Sequence, residues 1–259
     1  LGIPVYREIG RSTECMATLK RYPPREGRPA PPDTEPNGAF GINCRQLLDS
    51  EQKVLDEYQS KRVLSEAGIP TVEEAVANTL DEALTAAGKF GYPVVVKGLM
   101  TGIVHKSEDG LVQTEIRSRE QLERAIDHLS AQSPDCKRYL IQRQISGDIE
   151  IIVGLIRDRQ FGPCVMCGLG GIFTEALADR VFALAPLSRE EALGMIERLK
   201  SQHLLNGWRG QSPVDKIALA DTIAAVARLG CSDDRIEQID VNPLIVSGGR
   251  NGETGIKGG

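Results

Sequence analysis

Two strand-like runs, Tyr139 to Ile145 and Ile149 to Ile156, stand only Ser146-Gly147-Asp148 apart. Parallel strands need a crossover of a dozen or more residues, so this short link fits a hairpin-like turn and antiparallel pairing. Helix and strand signals alternate along the rest of the chain. Together they predict an α+β fold rather than an all-parallel sheet. Val94-Val95-Val96 is a β-branched run after Pro93 and reads as a buried strand. Leu111 to Ile116, Phe161 to Cys167 and Ile236 to Val246 read as further strands.

Helix signals lie between them. Asp49 or Ser50 is placed to cap a helix that runs to Glu66 and stops at Gly68. Leu80, Ala83, Leu84 and Ala87 fall at helical spacing, closed by Gly88. Ser118 and Gln121 have the spacing of a capping box. Ser188 caps another helix, and a last one starts near Pro213.

Residues 23–46 are dense in Pro and Gly, which remove backbone donors and break helices, so they read as an extended linker. The organisation predicted is therefore a short piece at 1–22, a linker at 23–46, a folded domain at 47–248 and a mobile Gly-rich tail at 249–259. The chain opens on Leu1 rather than Met, which reads as a piece of something longer. With 31 Lys+Arg against 36 Asp+Glu, the net charge of −5 argues against a nucleic-acid partner. Only 4% of residues are aromatic, too few for a base-stacking platform. No apolar run reaches the roughly 18–20 residues that a membrane span needs. Six scattered cysteines form no disulfide framework, which fits a reducing, cytoplasmic setting.

Several residues could carry chemistry. Lys97 ends the Val94-Val95-Val96 run, where its ammonium can either meet a phosphate or snorkel to water. His105-Lys106-Ser107, with Gly110 beyond, can be a polar loop or a place where an imidazole takes and returns a phosphoryl group beside a neutralising cation. Gly168-Leu169-Gly170-Gly171 can cradle phosphate or simply allow a tight strand exit, and it fits no standard phosphate-loop pattern. Asp240 and Asn242 share one face of a strand, because the side-chain period there is two. As buried oxygen donors they would suit Mg²⁺. Cys164 and Cys167 lack the second pair that zinc would want and read as small hydrophobes. His128 and His203 read as structural.

In this order, these pieces resemble the nucleotide-binding β part of the NDP-forming acyl-CoA synthetases, the family of ADP-forming acetate–CoA ligase and a cousin of succinyl-CoA synthetase. The resemblance runs from about Leu55 to Val246. It is carried by Tyr58 to Pro70, Gly91 to Lys97, His105-Lys106-Ser107, Phe161 to Glu175, Leu184-Ala185-Pro186-Leu187, Trp208-Arg209-Gly210 and Asp240-Val241-Asn242-Pro243-Leu244. It implies the ATP-grasp fold, two α/β subdomains with nucleotide between them. It implies that Lys97 contacts ATP phosphate, that Gln142, Arg143, Gln144 and Ile145 form the hinge at adenine, and that Glu150 lies in the nucleotide cleft. Asp240 and Asn242 match the metal position. His105 matches the phosphoryl-relay histidine, with Lys106 beside it. ATP/ADP and Mg²⁺ are the implied cofactors.

The same resemblance implies partners. CoA-binding and ligase domains would lie upstream in the same chain or on a separate α subunit, bringing CoA and a small carboxylic acid, and the assembly is expected to be an oligomer. Residues 1–22 resemble the end of such a ligase domain. Two departures stand out. The loop reads His105-Lys106-Ser107-Glu108-Asp109-Gly110, one glycine short of the family pattern. The family's further strand with a second metal-binding Asp is not recognisable, so weak metal affinity and a bare sheet edge are expected. Alternative readings are a degenerate ligase-like module of a protein acetyltransferase and a carboxylate–amine ligase.

Overall fold

The computed structural model describes residues 54–99, 111–145, 149–171, 179–207, 212–247 and 255–258. Residues 1–22, the 23–46 linker, His105, Lys106 and the 146–148 link all lie outside the described residues. The chain divides into two units, one within Phe40–Ser146 and one within Gly147–Ile256.

The first unit runs α1 (Glu57–Glu66), β1 (Glu74–Ala77), α2 (Leu80–Phe90), β2 (Val94–Gly98), β3 (Val112–Ile116), α3 (Arg119–Gln132) and β4 (Tyr139–Arg143). Its strands form an antiparallel sheet in the order β1-β4-β2-β3. Helix α1 starts later than Asp49 or Ser50 would have it. Asp56 accepts from the Gln59 amide at 2.8 Å, and the Gln59 side chain accepts from the Asp56 amide at 2.9 Å, a complete capping box. Ser118 caps α3 as expected, but the Gln121 side chain reaches back to the Arg117 amide. Val94, Val96, Tyr139 and Ile141 face Ala83, Ala87, Leu122, Ile126 and Leu129 of α2 and α3 in one buried cluster. The β2 run is thus buried on one face only, since Val95 and Lys97 point the other way.

The second unit runs β5 (Ile149–Asp158), β6 (Gly162–Leu169), β7 (Arg180–Leu184), α4 (Arg189–Glu197), a 3-10 turn (Gln202–Asn206), α5 (Lys216–Ser232), β8 (Gln238–Ser247) and β9 (Gly255–Gly258). The sheet order is β7-β6-β5-β8-β9. Ile151, Val153 and Leu155 of β5, Val165 and Cys167 of β6, and Val241, Leu244 and Val246 of β8 are buried together with Leu219, Ile223 and Val226 of α5. Residue 230 of α5 comes so close to Leu155 that a Cβ there would lie 2.2 Å from its Cδ1, and it is a glycine.

Three expectations need correction. The runs on either side of residues 146–148 are not a hairpin. β1 and β2 occupy both edges of β4, so β5 has no edge to join and begins the second sheet. The pairing is antiparallel throughout the partners β1 to β8, as expected, but between other strands. The tail is not uniformly loose, because Gly255–Gly258 forms β9 and lies along β8. Asp240 and Asn242 share a face but are exposed rather than buried.

The glycine run ending β6 has packing reasons. A Cβ at Gly168 would stand 2.7 Å from the Asp179 carbonyl oxygen, and one at Gly170 would stand 3.0 Å from Glu150 Cβ and 3.2 Å from its carbonyl carbon and oxygen. Asp179 is itself buried. It accepts from the amides of Lys200 (2.9 Å) and Ser201 (2.7 Å) and from the Ser201 hydroxyl. Burial opposes its charge, but those hydrogen bonds outweigh it and hold the carboxyl below its ordinary range. Gly168→Ala is therefore expected to lower unfolding stability by about 1–3 kcal/mol in denaturant titration, through forced backbone movement. Gly194→Ala in α4, where a Cβ would meet nothing within 4 Å, should instead be neutral or stabilising by about 0.5–1 kcal/mol.

Candidate functional site

On the first sheet, the face turned away from α2 and α3 carries a charged network. Register places Glu74 of β1 opposite Gln142 of β4, and Gln142 opposite Val95 of β2, so Glu74, Gln142 and Lys97 lie on one side. Helix α1 adds Glu57 and Lys61, one turn apart. The Lys97 ammonium donates to Glu57 Oε1 at 2.6 Å, and Lys61 donates to the same oxygen at 3.0 Å. Lys61 also donates to Glu74 Oε2 at 3.1 Å, and that oxygen accepts from Gln142 Nε2 at 2.7 Å.

Two cations and two anions balance here, as buried charges require. Burial pushes the Lys97 ammonium down, the Glu57 carboxylate pulls it back up, and neighbouring Lys61 pushes it down again, for a net lowering. Burial raises the Glu74 carboxyl, against the pull of Lys61 and Gln142. Lys97 is thus a partly buried, ion-paired cation rather than a snorkelling one. Sequence reading missed Glu57, Lys61 and Glu74. The i, i+4 spacing of Glu57 and Lys61 was the available signal, but Glu74 reaches them only through the fold.

The residues 142–145 are tied to their neighbours. The Gln142 side chain belongs to the network, and Arg143 pairs with exposed Glu73 at 3.3 Å. Gln144 accepts from the Glu115 amide at 2.7 Å and donates to the Glu115 carboxylate. Glu115 sits at φ +58°, at the bulge where β3 slips against β2. Ile145 is half-buried. These side chains are engaged within the first unit, and the Arg143 and Gln144 amides donate to the Glu73 and Pro93 carbonyls at 3.0 and 3.1 Å.

On the second sheet, Glu150, Asp240 and Asn242 are exposed. The register sets Asp240 opposite Gly154, and Gly154 opposite Met166, so all three share the face away from buried Val153 and Val241. Pro243 cannot donate to the ladder, and β8 slips by one residue against β5 there. The slip turns Leu244 rather than Pro243 inward and leaves Asp240 and Asn242 together on the outer face. Gly170 donates its amide to the Glu150 carbonyl at 2.7 Å, and a Cβ at Gly171 would stand 3.0 Å from Glu150 Oε2. The glycines thus let the chain lie directly on Glu150.

Among the described residues no group of three or more His, Cys, Asp and Glu gathers to hold a metal ion. Asp240 and Asn242 still fit Mg²⁺, which keeps several waters and takes only one or two protein oxygens beside phosphate. Cys164 and Cys167 lie on opposite faces of β6, and burial pushes the Cys167 thiol up to about 12, so it stays protonated and unreactive. His128 and His203 are exposed. No helix among the described residues is long and apolar enough to cross a membrane.

Residues 46–252 match the family described as an ATP-grasp domain. The β subunit of ADP-forming acetate–CoA ligase I from Pyrococcus furiosus is 41% identical over 210 residues, covering 78% of this chain and 90% of that protein. The ADP-forming acetate–CoA ligase I from Archaeoglobus fulgidus is 32% identical over 256 residues, which cover 95% of this chain but 37% of that protein. Acetyl-coenzyme A synthetase 1 of Ca. Korarchaeum cryptofilum, solved with coenzyme A and Ca-AMPCP, superposes with a TM-score of 0.72 at 37% identity, covering 78% of this chain and 89% of that chain. Its selenomethionine derivative with coenzyme A and Mg-AMPPCP, whose phosphohistidine segment points towards the nucleotide binding site, gives 0.65 at 37% identity over 74% and 85%.

The charge balance makes a testable claim about stability. Lys61→Met leaves Glu74 buried without its cation and is expected to cost about 3–5 kcal/mol in denaturant unfolding. Lys61→Met combined with Glu74→Gln, which removes both charges together, should recover most of that loss.

Proposed function

We propose that this chain, which belongs to the ATP-grasp family and is the β-type part of an ADP-forming acyl-CoA ligase, moves a phosphoryl group between nucleotide and the His105 imidazole. Its cofactors are ATP/ADP and Mg²⁺. The observation that carries the reading is the ion-paired Lys97 at the end of β2, a preset ammonium at the position the family uses for phosphate. The relatives named above are ADP-forming acyl-CoA ligases, which favours this function over an acetyltransferase module or a carboxylate–amine ligase.

In the ATP-forming direction, a partner domain makes an acyl phosphate from acyl-CoA and phosphate as the thioester C–S bond breaks and CoA leaves. A His105 ring nitrogen attacks its phosphorus, the N–P bond forms, the P–O bond breaks and the carboxylate leaves with the electron pair. A terminal oxygen of ADP then attacks the phosphohistidine, and the imidazole leaves as ATP forms. Such transfers depend on positioning and charge neutralisation more than on covalent work by the protein. Lys97 meets phosphate oxygens, and Lys106 lies next to the histidine to offset charge on the moving group. The family resemblance assigns the segment of Gln142, Arg143, Gln144 and Ile145 to the base and Glu150 to the nucleotide. Asp240 and Asn242 would hold Mg²⁺, which would supply charge neutralisation for the transferring phosphoryl group.

CoA and the acid belong to CoA-binding and ligase domains, either upstream of residues 47–248 or on a separate α subunit, as the two forms of relative suggest. The segment 1–22 would then be the end of such a domain and 23–46 its linker. Among the described residues Cys136, Cys164, Cys167 and Cys231 form no disulfide, which fits a reducing, cytoplasmic setting, and the proposed assembly is an oligomer.

Lys97→Ala is expected to weaken ADP binding by about 10- to 100-fold in calorimetry, the loss of a charged hydrogen bond. Unchanged affinity would remove Lys97 from the site. With the partner domains supplied, His105→Asn should abolish phosphate-to-nucleotide exchange while sparing ADP affinity. Retained exchange would end the relay role.

A further inference from the structure

We propose that Glu57 is a positioning residue for Lys97, keeping its ammonium charged and aimed, and that Lys61 takes over Glu57 when phosphate takes Lys97. This rests on the reading that Lys97 meets nucleotide phosphate.

The geometry is of one carboxylate oxygen shared by two ammonium groups, 2.6 Å from Lys97 and 3.0 Å from Lys61. The network also has an open end. Side-chain exposure is 7% at Lys61 and 8% at Glu74, but 17% at Lys97 and 22% at Glu57. An incoming anion therefore meets the Lys97–Glu57 end. A phosphate that takes the Lys97 ammonium must loosen it from Glu57. Released from Lys97, Glu57 becomes a partly buried carboxylate beside an anion, a costly arrangement unless its remaining cation moves closer. Lys61 prevents that because it already touches the same oxygen. Lys61 is in turn held by Glu74, and Glu74 by Gln142. The position of Glu57 in the first turn of α1 adds the favourable end of the helix dipole.

Among the described residues, the charged groups around Lys97 are Glu57 and Lys61 from α1 and Glu74 from β1. Val112 of β3 and Leu140 of β4, its register partners, carry no charge. Of these groups Glu57 is the one in contact, and it raises the pH to which the ammonium survives. Without it, the burial and Lys61 that push Lys97 down act with less opposition, and the amine loses its proton at lower pH. A neutral amine cannot offset phosphate charge.

The test is ADP affinity by calorimetry from pH 7 to pH 9.5 for wild type, Glu57→Gln, Glu57→Asp and Lys97→Ala. Glu57→Gln should bind more weakly than wild type, with a deficit that widens as pH rises, by about tenfold for each unit by which Lys97 has passed its titration. Glu57→Asp should restore most of the wild-type profile. Parallel curves for Glu57→Gln and wild type would overturn the proposal. If Lys97→Ala binds like wild type, the underlying nucleotide reading fails instead. Should Glu57→Gln not fold, the Lys61→Met, Glu74→Gln double variant serves, because it leaves net charge unchanged while removing the group that receives Glu57. It should bind ADP at least about fivefold more weakly at pH 7, about 1 kcal/mol. Unchanged affinity there would overturn the proposal equally.

Discussion

A single glutamate oxygen lies between two ammonium groups on the outer face of the four-stranded sheet, and the chemistry of that face depends on it. Two buried lysines side by side would repel each other and shed protons. Glu57 makes their proximity tolerable, and Glu74 and Gln142 complete the balance from the sheet below. What results is a cation available at a strand end, partly buried yet charged. A surface lysine would meet phosphate through a hydration shell, whereas a paired, half-buried one is already stripped of much of its water. The cost of removing its water has been met during folding, by ion pairing, before any nucleotide arrives.

The second sheet solves a different problem with the same period-two geometry. Val241, Leu244 and Val246 turn into the core, while Asp240 and Asn242 stand outward. Strict alternation past Val241 would point Pro243 inward. The slip between β8 and β5 at this proline restores the apolar side to the core and keeps the oxygen donors together. Their exposure suits the proposed Mg²⁺ site, because that ion keeps part of its water and needs few protein oxygens. A buried pair, as the sequence suggests, would have needed a resident partner to be stable.

Much of this was legible. Val94-Val95-Val96-Lys97 announces a strand ending in a cation, Ser118 and Ser188 announce helix starts, and Asp240-Val241-Asn242 announces two donors on one face. Other features were not. The residues Glu57 and Glu74 are far from Lys97 in sequence and meet it only when α1 and β1 come to the same sheet face. The hairpin expected around residues 146–148 was misread because local turn chemistry does not report whether a strand's edges are already taken. The glycines of 168–171 were ambiguous for the same reason. Their need comes from Asp179 and Glu150 pressing on them, which spacing cannot show. Strand β7 went unread because its five residues are short and half-buried in alternation.

The proposed phosphoryl transfer to the His105 imidazole needs cations to offset the moving charge. Tandem mass spectrometry of the protein after incubation with Mg·ATP tests that most directly. The account predicts a single added phosphoryl group, labile in acid and stable in base, located on His105. Absence of such an adduct with the partner domains present, or an acid-stable phosphate on a hydroxyl residue, would contradict it.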